Sequence, residues 1–336
     1  MTLNLVDTSL RDGMSSVSHQ FTTDQVAAIA GGLARAGVRT IEVAHGVGIG
    51  GSSLQYGRAA ATDKEYVEAA VKAAPGASIA ALYVPGISTF ADLDDIELAG
   101  ATTLRVAVHC TEADCAEQAV RRARQDGLTA MCFLMMSHKI EPAELAQQAS
   151  KLESYGAQVV YVVDSAGAMV PTQAAARVAA LRGAVDIPVG FHAHNNLGLA
   201  IGNSLAAAEN GATYIDGSLR GLGASAGNAQ TEVLAVALTR SGFQLDVDAF
   251  ALAELAEQVV AACMKAPQII DEAALLIGYA GVYSTFFHPT KRAAAKFGTP
   301  VRDILLELGR RNIIGGQEDM IIDVAAELAG QREASR

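Results

Sequence analysis

Short apolar runs alternate with longer amphipathic stretches between residues 3 and 215. The apolar runs are rich in valine, isoleucine and alanine, which is typical of strands that are buried on both faces. The stretches between them carry apolar residues at helical spacing, and several open with a residue that can cap a first turn. The pattern predicts eight strands: Leu3–Ser9, Thr40–Ala44, Ser78–Val84, Thr103–His109, Thr129–Met135, Gln158–Val163, Ile187–His192 and Thr213–Ile215. Predicted helices among the intervening stretches are Thr23–Ala36, Asp63–Ala74, Thr111–Gln125 and Pro142–Tyr155.

Eight strands that alternate with helices indicate an α/β protein with a closed (β/α)8 barrel, the TIM barrel. A doubly wound parallel sheet is the alternative, and the count of eight favours the barrel. We expect the barrel over residues 1–242 and a C-terminal helical domain over residues 243–336, because helical spacing recurs there without a convincing strand. The helices predicted in this second domain are Val247–Met264, Pro267–Leu276, Pro289–Lys296, Pro300–Arg310 and Gly316–Ala329.

The amino-acid composition argues against several classes of protein. Apolar residues make up 51% of the 336 residues, but no run is long and uncharged enough to predict a membrane-spanning helix. The net charge of −11, without a basic cluster, argues against nucleic acid as a partner. Early charges such as Asp7 and Arg11 argue against a signal peptide. The four cysteines lack C-x-x-C spacing, so we expect reduced thiols and a cytoplasmic location.

Polar residues with metal-binding chemistry follow several of the predicted strands. His192 and His194 are two positions apart at the end of the seventh strand, so both imidazoles can face one divalent cation. Asp12 follows the first strand and adds a carboxylate, with the guanidinium of Arg11 beside it. Because the carboxyl ends of barrel strands share one rim, the sequence predicts a metal site there. A metal next to an arginine can hold a 2-oxo acid and stabilise its enolate.

Other residues of the predicted rim are candidates for the same site. Glu42 and His45 end the second strand, and Ser165 follows the sixth. We take Glu42 and Ser165 as candidates for substrate binding together with Arg11, and His45 as a candidate catalytic residue.

Several segments together resemble the 4-hydroxy-2-oxovalerate aldolases, the pyruvate-dependent class II branch of the metal-dependent aldolase and acyltransferase barrels related to HMG-CoA lyase. The resemblance runs in order from about residue 3 to residue 328. The segments that carry it are VDTSLRDG, IEVAHG, GIGGSS, VVDSAGAM, GFHAHNNLGLAIGNS, DGSLRGLGASAGN, GYAGVYSTF and GGQEDMIIDVA. HxHNN indicates only the wider superfamily, whereas the last two segments are typical of the aldolase.

The resemblance implies a metal site and a place for the substrate. Asp12, His192 and His194 match the metal ligands, with Mn²⁺ the usual ion and Co²⁺, Mg²⁺ or Zn²⁺ as alternatives. Asn228 matches an asparagine that binds the metal in more distant relatives. Arg11 matches the residue that holds the pyruvate moiety and stabilises its enolate.

The resemblance also suggests residues near the reacting groups. Ser165 matches a serine close to the pyruvate carboxylate, and Tyr283 matches a catalytic tyrosine close to the reacting hydroxyl group. The family usually reads RDGxH, with the histidine as base, but this chain has Ser15 at that position. A serine hydroxyl is too weak a base to replace imidazole unaided. Tyr283, His45 or a metal-bound water could take over the proton.

The activity implied is a carbon–carbon lyase that splits 4-hydroxy-2-oxovalerate, or a related acid, into pyruvate and an aldehyde. Relatives serve in aromatic hydrocarbon catabolism and dock onto an acylating aldehyde dehydrogenase, so we expect a homo- or hetero-oligomer. Ser15 leaves open a paralogue with altered substrate or weakened activity, in a specialised pathway or as a scaffold for the dehydrogenase. A Claisen-type acyl-CoA transferase of the same superfamily is a further alternative; such enzymes usually have a different C-terminal region.

Overall fold

The computed structural model describes residues 1–334, in which eight parallel strands form a closed barrel in chain order and β1 pairs with β8. This closure confirms the predicted (β/α)8 fold and rules out the doubly wound sheet. Each predicted strand end lies within two residues of the observed one. The strands are β1 Asn4–Leu10, β2 Thr40–Val43, β3 Ser78–Tyr83, β4 Thr103–His109, β5 Thr129–Met135, β6 Val159–Asp164, β7 Val189–Ala193 and β8 Tyr214–Gly217.

Helices cover the outside of the barrel, one after each strand. Thr22, Thr62 and Thr89 begin the first three with reciprocal capping boxes, which satisfy backbone N–H groups that a helix start leaves free. The fourth helix starts later than predicted, because residues 113–116 form a 3₁₀ turn. The helices are α1 Thr23–Arg35, α2 Asp63–Ala73, α3 Phe90–Leu98, α4 Glu117–Gln125, α5 Pro142–Tyr155, α6 Pro171–Ala184, α7 Ala200–Glu209 and α8 Thr231–Arg240.

The barrel interior is filled by side chains that point inward from the strands. Leu82, Met131, Phe133 and Tyr161 belong to this inner cluster, which is separate from the large core between the strands and the outer helices. The fully buried charged side chain of Arg105 also lies inside the barrel, stacked on the ring of Phe133. The interior is therefore a packed layer that supports the rim from below.

Two different packing units follow α8. The first is a helix made of α9 (Ala249–Leu255), a π-helical turn (Ala256–Val260) and α10 (Ala261–Cys263), and it packs on α1 and α8 as part of the barrel core. The second unit has a core of its own, built by α11 (Glu272–Ala280), α12 (Phe287–Phe297), α13 (Val301–Arg310) and α14 (Met320–Ala334). Packing puts the division near residue 264, and the boundary at 242 stays a prediction. Residues 335 and 336 of the predicted second domain lie outside the described residues.

The start of α11 differs from the predicted helix Pro267–Leu276. The helix begins at Glu272, because the Asp271 carboxylate accepts a hydrogen bond from Ala274 N and caps it there. The preceding residues run along the barrel rim, where Gln268 Nε2 donates to Ser16 Oγ (2.6 Å) and to Gly223 O (2.7 Å). The C-terminal helices are thereby fixed to the end of the barrel where the metal site is predicted.

Among the helices described, none combines the length and the apolar character needed to cross a lipid bilayer.

Candidate active site

Two junctions of the barrel bring the predicted metal ligands together. Asp12 opens a short 3₁₀ helix directly after β1, His192 is the last but one residue of β7, and His194 follows that strand. One ligand atom from each lies within 4.8 Å of the other two. Asp12 Oδ2 is 3.4 Å from His192 Nε2 and 3.5 Å from His194 Nε2. The three side chains thus form a compact nitrogen and oxygen donor set.

The donor chemistry and the local hydrogen bonding fit a divalent cation. His192 Nδ1 lies 2.9 Å from Asp216 Oδ2, and a carboxylate can only accept, so Nδ1 carries a proton and Nε2 is the nitrogen that faces the cluster. Asn228 Nδ2 donates to Asp12 Oδ2 at 2.8 Å, while its buried Oδ1 has no hydrogen-bond partner among the described residues. An imidazole pair with a carboxylate suits Mn²⁺, Co²⁺ or Zn²⁺. Asn228 as a fourth ligand stays a prediction.

Buried charges around the cluster shift its pKa values. Burial raises the pKa of Asp12, but Arg11 and the two histidines outweigh it and hold the pKa well below its usual range. Burial lowers the pKa of His192, yet its contacts with Asp12 and Asp216 raise the pKa to about 9. For His194 burial dominates and lowers the pKa to about 4. Asp12 is therefore an anion at neutral pH, as a metal ligand must be.

Arg11 lies beside the metal-binding cluster and is oriented from two sides. Its Nε donates to Glu42 Oε2 at 2.8 Å, and its Nη1 donates to Gly46 O at 3.3 Å and lies 3.4 Å from Asp12 Oδ1. Within residues 1–334, Nη2 has no protein partner. The guanidinium therefore keeps hydrogen-bonding capacity beside Asp12 of the cluster.

Glu42 is completely buried and contacts two arginines. Its Oε2 accepts from Arg11 and lies 3.1 Å from Arg105 Nη1, while Oε1 has no partner among the described residues. These contacts orient Arg11. The direct substrate contact predicted for Glu42 stays a prediction, and the geometry favours an indirect effect through Arg11.

The residue at the RDGxH position faces the loop after β2. The hydroxyl of Ser15 forms no hydrogen bond within the described chain, and a Cβ placed on Gly46 would lie 3.0 Å from Ser15 Oγ. The ring of His19 lies against the same glycine. Ser15 is thus next to Gly46, the residue whose carbonyl accepts from Arg11, and the Ser15 oxygen itself is unengaged among the described residues.

His45 stacks on His19 with ring centroids 3.9 Å apart. Its Nε2 donates to Gly57 O at 3.0 Å, and its Nδ1 accepts from Val47 N at 3.3 Å. Burial lowers the pKa of both imidazoles, to about 4 for His19. Because both nitrogens of His45 are bound to backbone of its own loop, the geometry favours a structural role, and its catalytic role stays a prediction.

Ser165 and Tyr283 lie farther round the rim. Ser165 Oγ accepts from Met136 N at 3.0 Å and so connects the ends of β5 and β6. Tyr283 packs against the C-terminal core near Phe286, and burial raises the pKa of its phenol, with smaller effects from Cys110 and Glu112. The substrate-binding role of Ser165 and the catalytic role of Tyr283 stay predictions.

Two buried residues of the site are not among the sequence predictions. Arg105 on β4 and Asp216 on β8 lie inside the barrel beneath Glu42 and His192. The sequence feature that could have identified them is a single Arg or Asp within each of two otherwise mostly apolar strands, TLRVAVH and YIDG. An unpaired charge in a buried strand is costly, so such residues indicate a partner across the barrel.

The closed barrel and the Asp–His–His cluster at its rim agree with the comparisons to known proteins. A family model described as HMGL-like matches residues 2–259, and one described as a DmpG-like communication domain matches residues 268–330. The chain is therefore an HMGL-like barrel joined to a DmpG-like C-terminal domain.

Similar proteins identify the branch within that class. The 4-hydroxy-2-oxovalerate aldolase 2 of Nocardia farcinica is 72% identical over 330 residues, which is 98% of this chain and 95% of that relative. The 4-hydroxy-2-oxovalerate aldolase of Carboxydothermus hydrogenoformans is 54% identical over 327 residues, 97% of each chain. The chain belongs to the 4-hydroxy-2-oxovalerate aldolase family, whose members are carbon–carbon lyases. The family and the cluster together indicate a divalent metal.

A solved structure supports the fold at much lower identity. The carboxyl transferase domain of Rhizobium etli pyruvate carboxylase, determined with pyruvate, superimposes with a TM-score of 0.78 at 19% identity. The match covers 98% of this chain and 61% of that one. At this identity the likeness concerns the barrel architecture alone.

Replacing His194 with alanine should abolish tight metal binding, because it removes one of the three donors that converge in the described part of the chain. Loss of a residue that only hydrogen-bonds to a metal ligand raises the dissociation constant by up to roughly 100-fold. We expect the dissociation constant for Mn²⁺ to rise by more than this, since a ligand itself is lost. Titration calorimetry on metal-free protein measures it. His288→Ala, at an exposed position on α12, is the control and should bind like the parent. Parent-like affinity in His194→Ala would contradict the assignment.

Proposed function

We propose that this protein cleaves the C3–C4 bond of 4-hydroxy-2-oxovalerate, or of a close homologue, and releases pyruvate and an aldehyde. The observation that carries the proposal is the cluster of Asp12, His192 and His194 with the free amino group of Arg11 beside it. The similarity to 4-hydroxy-2-oxovalerate aldolases over nearly the whole chain supports the substrate class. A cytoplasmic location and a place in aromatic catabolism belong to the same proposal.

Asp12, His192 and His194 would hold the cation, for which we propose Mn²⁺. When bound, it would act as a Lewis acid that withdraws charge from the 2-oxo group. The arrangement of the ligands is maintained by partners outside the donor set: Asp216 fixes the tautomer of His192, and Asn228 donates to Asp12. These partners hold the donors in place before a cation binds, and binding would displace the second proton that His192 carries at neutral pH.

Arg11 stabilises the negative charge that develops when the bond breaks. As the 4-hydroxyl group loses its proton, C4 becomes the aldehyde carbon and the electron pair of the C3–C4 bond passes to the pyruvate fragment; the enolate formed takes up a proton at C3 to give pyruvate. A guanidinium that is already oriented by Glu42 and Gly46 can donate to this charge without reorganising. Burial strengthens the interaction, because the side chain is only 10% exposed.

Removal of the proton from the 4-hydroxyl group is the step for which the described residues of the site offer no unengaged imidazole. Ser15 stands at the family's histidine position, and the nearby imidazoles of His19 and His45 have lowered pKa values and are bound to the β2–α2 loop. We therefore propose that metal binding and enolate stabilisation are retained, whereas the deprotonation step is slow.

We further propose an acylating aldehyde dehydrogenase as the partner of the C-terminal helices. The match to a communication domain supports this proposal. Helix α11 buries Ala274, Ile277 and Gly278 but leaves Leu275 and Tyr279 exposed by 53% and 77% on its other side. Ile269 and Ile270, in the segment before α11, are exposed as well. An exposed patch of this kind is typical of a protein interface.

The metal-loaded protein should release pyruvate from 4-hydroxy-2-oxovalerate without coenzyme A. Coupling to lactate dehydrogenase measures the rate as loss of NADH. A chelator should abolish the activity and Mn²⁺ restore it, and Arg11→Lys should lower kcat by roughly 100-fold or more, since the forked donor is lost. Activity that resists chelation, or that requires acetyl-CoA, would refute the proposal.

Ser15→His should speed cleavage by at least about 10-fold, because a positioned imidazole contributes roughly 10²–10⁴ in proton transfer. The comparison is kcat for the parent and the variant at saturating metal. Ser15→Asn is the matched control, since it adds bulk without a base, and it should give no gain. If the histidine variant is no faster than the parent, the serine is not the cause of a slow step.

Leu275→Asp combined with Tyr279→Asp should prevent assembly with an acylating aldehyde dehydrogenase from the same genome, because charges would be buried in an apolar contact. Co-purification and size-exclusion chromatography measure the complex. Phe250→Asp on α9, 79% exposed but outside the α11 face, is the control and should still assemble. A complex of parent-like stability in the double variant would exclude this face.

A further inference from the structure

Arg105 is the largest side chain that is fully buried in the described chain. It comes from the middle of β4 and points into the barrel, where its guanidinium lies 4.1 Å from the ring centre of Phe133 and 5.0 Å from that of Tyr161. A cation is placed here without water, so its charge has to be balanced by protein groups.

Two carboxylates from distant strands balance this charge. Asp216 Oδ2 on β8 accepts from Arg105 Nη2, and Glu42 Oε2 on β2 lies 3.1 Å from Arg105 Nη1. Both acids are buried as completely as the arginine. One guanidinium thus joins three strands below the rim.

Each of these carboxylate oxygens also contacts a residue of the proposed active site. Asp216 Oδ2 accepts from His192 Nδ1, which directs Nε2 of the same ring toward the metal position. Glu42 Oε2 accepts from Arg11 Nε and so holds the guanidinium beside Asp12 of the cluster. The metal-binding histidine and the enolate-stabilising arginine therefore share one support.

We propose that Arg105 is a positioning residue that sets the geometry of both halves of the site, His192 through Asp216 and Arg11 through Glu42. This inference rests on the proposed function for the substrate half, whereas the metal half can be tested without any substrate. Arg105 itself touches neither metal nor substrate.

The geometry requires a forked donor at this position. Arg105 Nη2 donates to Asp216, whereas Nη1 makes a 3.1 Å ion-pair contact with Glu42 and has no hydrogen-bond partner among the described residues; the planar guanidinium lets one side chain make both contacts. A lysine would keep the charge but offers a single ammonium centre. Arg105→Lys would then leave at least one of the two carboxylates displaced.

Three variants test the support of His192 and the support of Arg11 separately. Asp216→Asn weakens the support of His192, and we expect the dissociation constant for Mn²⁺ to rise by about 10-fold or more. Glu42→Gln weakens the support of Arg11, and we expect a higher KM for 4-hydroxy-2-oxovalerate with Mn²⁺ affinity within about 2-fold of the parent. Arg105→Lys should show both effects.

Metal affinity is measured by calorimetry on the full chain, KM by pyruvate release, and folding by thermal unfolding. Arg177→Lys is the matched control, because Arg177 is also a buried arginine but donates to the carbonyls of Ser137, His138 and Ile140. It should lower the melting temperature without changing Mn²⁺ affinity or KM.

Parent-like Mn²⁺ affinity and KM in folded Arg105→Lys would overturn the proposal. If Arg105→Lys does not fold, Asp216→Asn and Glu42→Gln provide the test. The proposal would also be overturned if these two variants changed Mn²⁺ affinity and KM to the same extent. If the parent does not cleave 4-hydroxy-2-oxo acids, the proposed function fails, while the Mn²⁺ measurements still test the support of His192.

Discussion

Closure of the barrel between β1 and β8 is the constraint on which the site depends. The register that pairs Asn4 with Tyr214 and Asp7 with Gly217 sets β1 beside β8, with β7 one strand further on. Asp12 and the histidine pair, far apart in sequence, can therefore meet across a single strand. The bridge between His194 and Asn228 and the hydrogen bond from Thr8 Oγ1 to Gly217 O join the same junctions. An open sheet would leave the first and seventh junctions at different places.

The second consequence of the closed barrel is a water-poor interior in which charges act strongly on one another. Arg11, Asp12 and His192 are almost completely buried, and Glu42 and Asp216 more so. Hydrogen bonds between such groups hold their geometry before a ligand arrives, since a displaced partner would leave a buried charge unpaired. This preorganisation is what catalysis of enolate formation needs, because charge develops at a fixed point.

The sequence predicted the fold well, because it follows from local patterns. Strand periodicity placed all eight strands, and the predicted Asp–His–His set does come together in the structure, while its role as a metal site stays a prediction. The contacts of Arg105 and Asp216 could not be predicted, since pairing across a barrel depends on shear and strand register and not on spacing along the chain. The shifted start of α11 has a local cause: the Asp271 carboxylate accepts from Ala274 N and caps the helix, which therefore begins at Glu272.

At position 15 this chain has a serine where the family pattern has a histidine. The sequence pattern suggests substitutes for this base that the structure does not favour. By pattern, the nearest imidazoles are the obvious substitutes. In the structure, however, His45 binds the backbone through both nitrogens, and His19 accepts from Gly46 N while stacking on it. A base must be free to accept a proton from substrate, and breaking these contacts would loosen the loop that carries Gly46 and, through it, Arg11. If either histidine acted as the base, Arg11 would be held less firmly and would stabilise the enolate less well. The loop that carries Gly46 therefore cannot orient Arg11 and supply the base at the same time.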